Sequence, residues 1–321
     1  MIRHEGCPGG SLAAVTTRLG AGELPVDWTR TGVAARLNGY VALTKPRIIE
    51  LLLVTTVPTM FVAARHVPSV GLMALTVAGG ALAAGGANAL NMVYDRDIDA
   101  LMERTKNRPL VTGVITPRAA TVFAVTLEVA AFVLLWSTVN ALSAVLAVSA
   151  TAFYIGVYTM WLKRSSPQNI VIGGAAGAVP VLVGWSAVTG HLGLAPFVMF
   201  AVIFLWTPPH FWALAVRYRD DYSNAHVPML PSIAELPTVT RRIMAYVVAV
   251  WVASLLLAPA AHLNVGYAGA AFVLGGLFFA YAWTLLRDPS PRRAMKLFGF
   301  SITYLTALFV AMGADAVIRV H

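Results

Sequence analysis

Residues 71–94, GLMALTVAGGALAAGGANALNMVY, run the length of a bilayer-crossing helix without a single charged side chain. A globular helix hides one apolar face and leaves the other polar, whereas about 20 consecutive apolar residues match the hydrocarbon core of a membrane. Comparable runs recur along the chain and predict spans at 48–65, 71–94, 118–137, 141–162, 169–190, 194–216, 242–262, 265–286 and 298–318. With 58% hydrophobic and 12% charged residues and a mean hydropathy of +0.74, a soluble globular fold is excluded. The expected class is all-α integral membrane: nine spans as two four-helix halves plus one, enclosing a central cavity open toward the cytoplasmic side.

Residues 1–38 lack a continuous apolar core and read as a disordered cytoplasmic tail, leaving 39–321 as one polytopic membrane domain. The single cysteine, Cys7, lies in that tail and rules out an intrachain disulfide. Apart from Arg65 and Arg319, every Lys and Arg falls in the tail or in an even-numbered loop, so the positive-inside rule puts the N-terminus and those loops in the cytoplasm. The net charge of +9 is thereby explained by topology and contact with anionic lipid, with no need for nucleic acid.

Charge gathers where the second span ends, in NMVYDRDIDALMERTKNRPL. If the helix continues, Asn88, Asn91, Asp95 and Asp99 lie in one narrow stripe and Asp97 points elsewhere. Two carboxylates and a carboxamide oxygen facing one cavity suit Mg²⁺, which proteins commonly hold by one or two carboxylates plus phosphate oxygens. The following Arg104, Lys106 and Arg108 can neutralise those phosphates. The plain alternative is a solvated helix end at the membrane interface. A second polar cluster closes the sixth span, WTPPHFWALAVRYRDDYSNAHVPMLP, where continued helicity puts His210, Arg217 and Asp221 on one face. The clusters lie four spans apart, which suggests a parallel repeat with each half giving one wall of a shared pocket.

On these residues the chain resembles the UbiA-type intramembrane aromatic prenyltransferases. Within that superfamily LTKPRI (43–48), ANALNMVYDRDIDALMERTKNRPL (87–110), SPQNIVIGGAAGAVPVLVGW (166–185), WTPPHFWALA (206–215) and DDYSNAHVPMLP (220–231) resemble the subfamily that farnesylates haem. The resemblance implies transfer of a farnesyl group from farnesyl diphosphate to a vinyl group of haem B, with water completing the product, haem O. It implies a bacterial plasma-membrane enzyme whose product feeds haem A synthase or a haem-copper terminal oxidase. The sequence departs from the superfamily in lacking a second DxxxD: Ala225 stands four after Asp221 and Asn224 four after Asp220. His226 stands where the subfamily leads one to expect glycine.

The resemblance assigns Asn91, Asp95 and Asp99 to Mg²⁺ on the diphosphate, with Asp221 contributing from the second cluster. Lys106 and Arg108 are the expected phosphate contacts, with Arg47 and Arg217 as further candidates or topology anchors. Of seven histidines, His4 and His321 are terminal and His66, His191 and His262 map to the outer side, leaving His210 and His226. His210 is the candidate haem contact, with Trp206, Phe211 and Trp212 as porphyrin lining or plain helix packing. Pro208-Pro209 predicts a kink, and Gly173, Gly174 and Gly177 predict close packing or room for substrate. Glu128 and Glu50 have no evident partner.

Two other readings compete. A transporter also combines repeats with buried carboxylates, but its charges lie at the bilayer midplane rather than at helix ends. A prenyltransferase acting on a quinone precursor would take a smaller acceptor, and WTPPHFWALA with VPMLP points away from it.

Overall fold

The computed structural model describes residues 32–318, with the side chains of residues 47–53 outside that set. Most of the expected disordered tail, Cys7, and the side chains of Arg47 and Glu50 therefore lie outside the described residues. Every regular element described is helical. Eight helices are long and apolar enough to cross a membrane: α3 (Val70–Tyr94), α5 (Pro117–Thr138), α6 (Ala141–Ser165), α7 (Asn169–Thr189), α8 (Leu194–Arg217), α11 (Leu236–Ala260), α12 (Val265–Arg287) and α13 (Pro291–Ile318). Helix α2 (Pro46–Ala64) adds a shorter apolar stretch, Val54–Ala64. Short helices α4 (Arg96–Leu101), α9 (Arg219–Asn224) and α10 (Leu230–Ile233) fill the loops at one end, and α1 (Val33–Thr44) begins inside the segment read as tail.

Local chemistry sets the ends. The Ser69 hydroxyl accepts from Leu72 N, Thr116 accepts from Ala119 N, and Asn140 accepts from Ser143 N, each opening a helix as a polar N-cap. Asn140 also donates to Ser186 O at 2.7 Å, tying the start of α6 to α7. Gly190, at φ 72°, closes α7 in the left-handed conformation. Helix α1 is held by Leu43, which is fully buried, and by Tyr40, whose ring meets Phe123 of α5 at 4.9 Å.

The helices form a closed ring. Helix α3 packs on α5, α5 on α6, α6 on α7, α7 on α8, α8 on α11, and α11 on α12; α13 joins α12 and α8 back to α2. Helix α2 completes the ring onto α3 and also lies along α7, so closely that a Cβ on Gly184 would stand 2.8 Å from Thr56 O. The two halves repeat in kind, since α3 stops at Asp95 and is followed by the six-residue α4, while α8 stops at Tyr218 and is followed by the six-residue α9.

Three local features depart from the sequence expectations. The second span does not continue as one helix, because the chain bends at Asp95 (φ −88°, ψ 4°). Asp95 N still bonds Asn91 O and Asp99 N still bonds Asp95 O, at 2.9 and 2.8 Å, so the acidic stripe survives the bend. Helix α8 runs unbroken through Pro208 and Pro209 and ends at Tyr218, so the face expected to continue to Asp221 stops there. Within α6, Phe153–Leu162 widens into a π-helix, which no hydrophobic period announces.

Candidate active site

Asn88, Asn91, Asp95 and Asp99 are all buried, with Asp95 fully so, whereas the Asp97 side chain is 62% exposed. Asn91 Nδ2 donates to Asp95 Oδ2 at 2.7 Å and to Thr159 Oγ1 at 3.1 Å. Asn88 Nδ2 donates to Thr44 O at 3.1 Å, anchoring the stripe to the end of α1. The π-helical turn brings Thr159 into reach, its hydroxyl donating back to Tyr154 O five residues earlier.

Cations surround the stripe. Lys163, from the end of α6, donates to Asp95 Oδ2; Arg108 holds Asp99 Oδ2 at 2.6 Å; and Lys45 donates to Asn91 Oδ1 at 3.1 Å. Lys45 sits between α1 and α2 in the left-handed region, φ 52° and ψ 64°, a strained backbone for a lysine. Burial, reinforced by Arg108 and Lys163, drives its ammonium pKa down to about 7 against the pull of Asp99 and Asp95. Arg164 grips Asp97 with two bonds of 2.7 Å and holds that carboxyl at about 2. Lys163 and Arg108 thus balance the two buried carboxylates, and Lys45 stands beside them as a lysine that an incoming anion would hold in its charged form.

Asp95 Oδ1 is buried and unbonded, with Arg164 Nη2 at 4.0 Å. No cluster of three acidic, histidine or cysteine ligands exists among the described residues. An unpaired carboxylate oxygen beside a second carboxylate fits a divalent cation whose remaining ligands come from phosphate, the usual arrangement for Mg²⁺. The residues therefore fit the metal only as a partner of a phosphorylated substrate.

The second cluster reaches the first through the short helices. Ile98 and Met102 share a buried core with Tyr222, Ala225, Val227 and Met229, and the Arg104 guanidinium lies 5.9 Å from the Tyr218 ring centre. Asp221 Oδ2 is buried without a partner on this wall. Burial is the main reason the Tyr222 phenol is pushed up. His226 adopts φ 53°, the conformation that favours glycine, which explains the expectation of glycine there; it lines a groove of about 280 Å³ with Asp97 and Arg164.

Several candidates fall elsewhere. Lys106 pairs with Glu103 at 2.5 Å in an exposed turn, and Arg217, two turns on from His210 on the same face of α8, is exposed at the end of that helix. His210 turns instead to α13, its ring 4.2 Å from that of Trp206 and 4.6 Å from that of Phe298. The Ser301 hydroxyl donates to Phe298 O at 2.6 Å, so it accepts from His210 Nδ1–H at 2.7 Å and leaves Nε2 with its lone pair. Trp206 Nε1 donates to Ser301 O, whereas Trp212 packs edge-on against Tyr246, away from His210. Glu128 accepts from Thr151 Oγ1 at 3.0 Å and so has a structural partner. Sequence reading missed Lys45, Lys163, Arg164 and Thr159. LTKPRI was the signal for the first, but no spacing rule connects α6 with α3.

This geometry yields a direct comparison. Arg108→Ala removes the ion pair of Asp99 and should lower turnover by about 10²-fold, the scale of one lost electrostatic contact. Lys106→Ala should change it less than about 2-fold, because exposed pairs contribute little. Steady-state rates of the two variants, at matched amounts of folded protein, check both.

A ring of apolar helices with acids and cations gathered at one end defines an intramembrane prenyltransferase. Residues 52–310 match the UbiA prenyltransferase family, and the chain belongs to it. It is 51% identical over 290 residues to the protoheme IX farnesyltransferase of Frankia alni, covering 88% of this chain and 99% of that one. It is 50% identical over 291 residues to the protoheme IX farnesyltransferase of Streptomyces coelicolor, covering 89% and 92%. Among solved structures, a digeranylgeranylglyceryl phosphate synthase superposes with a TM-score of 0.73 at 18% identity over 88% of this chain and 99% of that one. A UbiA homolog from Archaeoglobus fulgidus bound to GPP and Mg²⁺ superposes with a TM-score of 0.58 at 16% identity, over 86% and 99%. At those identities the two structures speak for the fold.

Proposed function

We propose that this protein transfers the farnesyl group of farnesyl diphosphate to a vinyl group of haem B, with addition of water, giving haem O and diphosphate. The observation that carries this reading is half-identity, over nearly nine-tenths of the chain, to proteins named protoheme IX farnesyltransferase. The site supports it by pairing a buried acidic stripe with half-buried cations at one end of an apolar bundle.

Asn91, Asp95 and Asp99 would hold Mg²⁺, with Asp221 contributing from the facing wall. Bound there, the metal supplies charge neutralisation for the departing diphosphate. Arg108, Lys45 and Lys163 take the remaining phosphate charge, and their fixed positions spare reorganisation as negative charge develops on the leaving oxygen. Lys106, paired with Glu103, and Arg217, at the end of α8, are exposed and stand as the weaker phosphate candidates. Two half-buried tyrosines, Tyr154 and Tyr158, stack at 5.4 Å beside the stripe and would help exclude water from the allylic end of the substrate. His210, with Nε2 free and its ring clamped between Trp206 and Phe298, is the residue offered to haem. Trp212 remains a packing residue. The positive-inside distribution supports a cytoplasmic N-terminus and site; the proposed setting is a bacterial plasma membrane, upstream of haem A synthase or a haem-copper oxidase.

The test is purified protein in detergent with haem B, farnesyl diphosphate and Mg²⁺, with the porphyrin followed by mass spectrometry. The expected result is a mass gain of one farnesyl group plus one hydroxyl. An unmodified porphyrin beside a prenylated aromatic acid would transfer the activity to a quinone-type acceptor.

A further inference from the structure

Asn169 opens α7 and is fully buried, yet neither its Oδ1 nor its Nδ2 has a hydrogen-bond partner. Buried amides are normally paired, and leaving both atoms unpaired costs stability. The residue lies where the two walls of the site converge. It follows Lys163, the partner of Asp95, by six residues, across the connection from α6 to α7, and its neighbour Ile170 packs in the same buried core as Ile98 and Tyr222. One helical turn further on, Gly173 lies under the Tyr158 ring so closely that a Cβ there would come within 2.3 Å of it. Tyr158 in turn lies within electrostatic reach of Asp95, Arg104 and Tyr222.

The guest that satisfies such a side chain must both donate and accept. Diphosphate only accepts, and a hydrocarbon or vinyl group does neither. Water does both, and a buried polar niche is where single waters are held. On the farnesyl-transfer reading proposed above, the reaction needs one water at one moment. The farnesyl C1–O bond breaks with its electron pair going to diphosphate, and C1 bonds the terminal vinyl carbon. Positive charge is then left on the vinyl carbon attached to the ring. A water oxygen gives its lone pair to that carbon, and the surplus proton passes to the departed diphosphate. Without a held water, the same cation loses a proton from the adjacent carbon and becomes an alkene one water lighter. We propose that Asn169 positions the hydrating water and so decides between these two outcomes.

The experiment measures the ratio of hydroxylated to dehydrated farnesyl-porphyrin by mass spectrometry, with H₂¹⁸O marking the added oxygen. Wild type should give the hydroxylated product almost alone. Asn169→Leu, which keeps volume and loses both polar atoms, should lower the ratio at least tenfold while diphosphate is still released; Asn169→Ala serves if the leucine variant does not fold. A wild-type ratio in a folded variant overturns the inference, because a residue that only packs would alter rate and not partition. Loss of all product in both folded variants also overturns it, since farnesyl transfer precedes hydration. Absence of farnesyl-porphyrin from wild type itself would instead overturn the reading on which this one rests.

Discussion

Asp95→Asn should lower turnover by at least about 10²–10³-fold while leaving the protein folded in the membrane. The two carboxylate oxygens differ: Oδ2 is fixed by Asn91 and Lys163, while Oδ1 is buried without a hydrogen-bond partner, and on the proposed function it is the oxygen that would meet the metal. The amide preserves shape and removes the charge. Asp95→Ala is the harsher change, because it strands the largely buried Lys163 ammonium, and removing one member of a buried pair costs about 3–5 kcal/mol. Rates normalised to monodisperse protein separate the two effects. Wild-type turnover in a folded Asp95→Asn variant would remove Asp95 from the chemistry.

Chelation of divalent metal should have an effect as large or larger. Within the described residues no cluster of three acidic, histidine or cysteine ligands exists, so a bound cation leans on substrate phosphates for the rest of its shell. Two consequences follow for EDTA-treated enzyme: turnover should fall by about 10³-fold or more and return with added Mg²⁺. Metal should also bind weakly without farnesyl diphosphate and more tightly with it, as titration calorimetry with the two added in either order would reveal. Full activity after exhaustive chelation would leave the cations to act alone and would reassign Asp95 and Asp99 to holding Lys163 and Arg108 in place.

Much of the fold is legible because a bilayer imposes a coarse and repetitive signal. Apolar runs locate α3, α5, α7, α8 and α12 closely, since the hydrocarbon thickness fixes their length. Helices α11 and α13 start earlier than hydropathy suggests, at Leu236 and Pro291, because their first turns carry Arg241, Arg242, Arg292, Arg293 and Lys296 beyond the apolar region. The acidic stripe was legible for a different reason. Its four members lie on one strand of sequence, and their i, i+4 hydrogen bonds hold through the bend at Asp95. Lys163 and Lys45 were hidden because each meets the stripe across a helix packing that only the closed ring creates. A face shared with Asp221 does not follow from helical arithmetic, because α8 stops at Tyr218 and Asp221 sits on the separate helix α9.

The widened turn of α6 has a mechanical meaning for the whole molecule. A π-helix advances its side chains by a different angle per residue, so the two ends of α6 are out of phase with each other. The far end, Ala141–Ala152, contacts α5 and α7 with small residues such as Ala144 and Ala147, while the near end presents Tyr158, Thr159 and Lys163 to the acids. The face that α6 turns to α5 and α7 is thus not the face that a straight α-helix would carry on to the acids, and it is the wide turn that decides which residues of the near end meet Asp95 and Asn91.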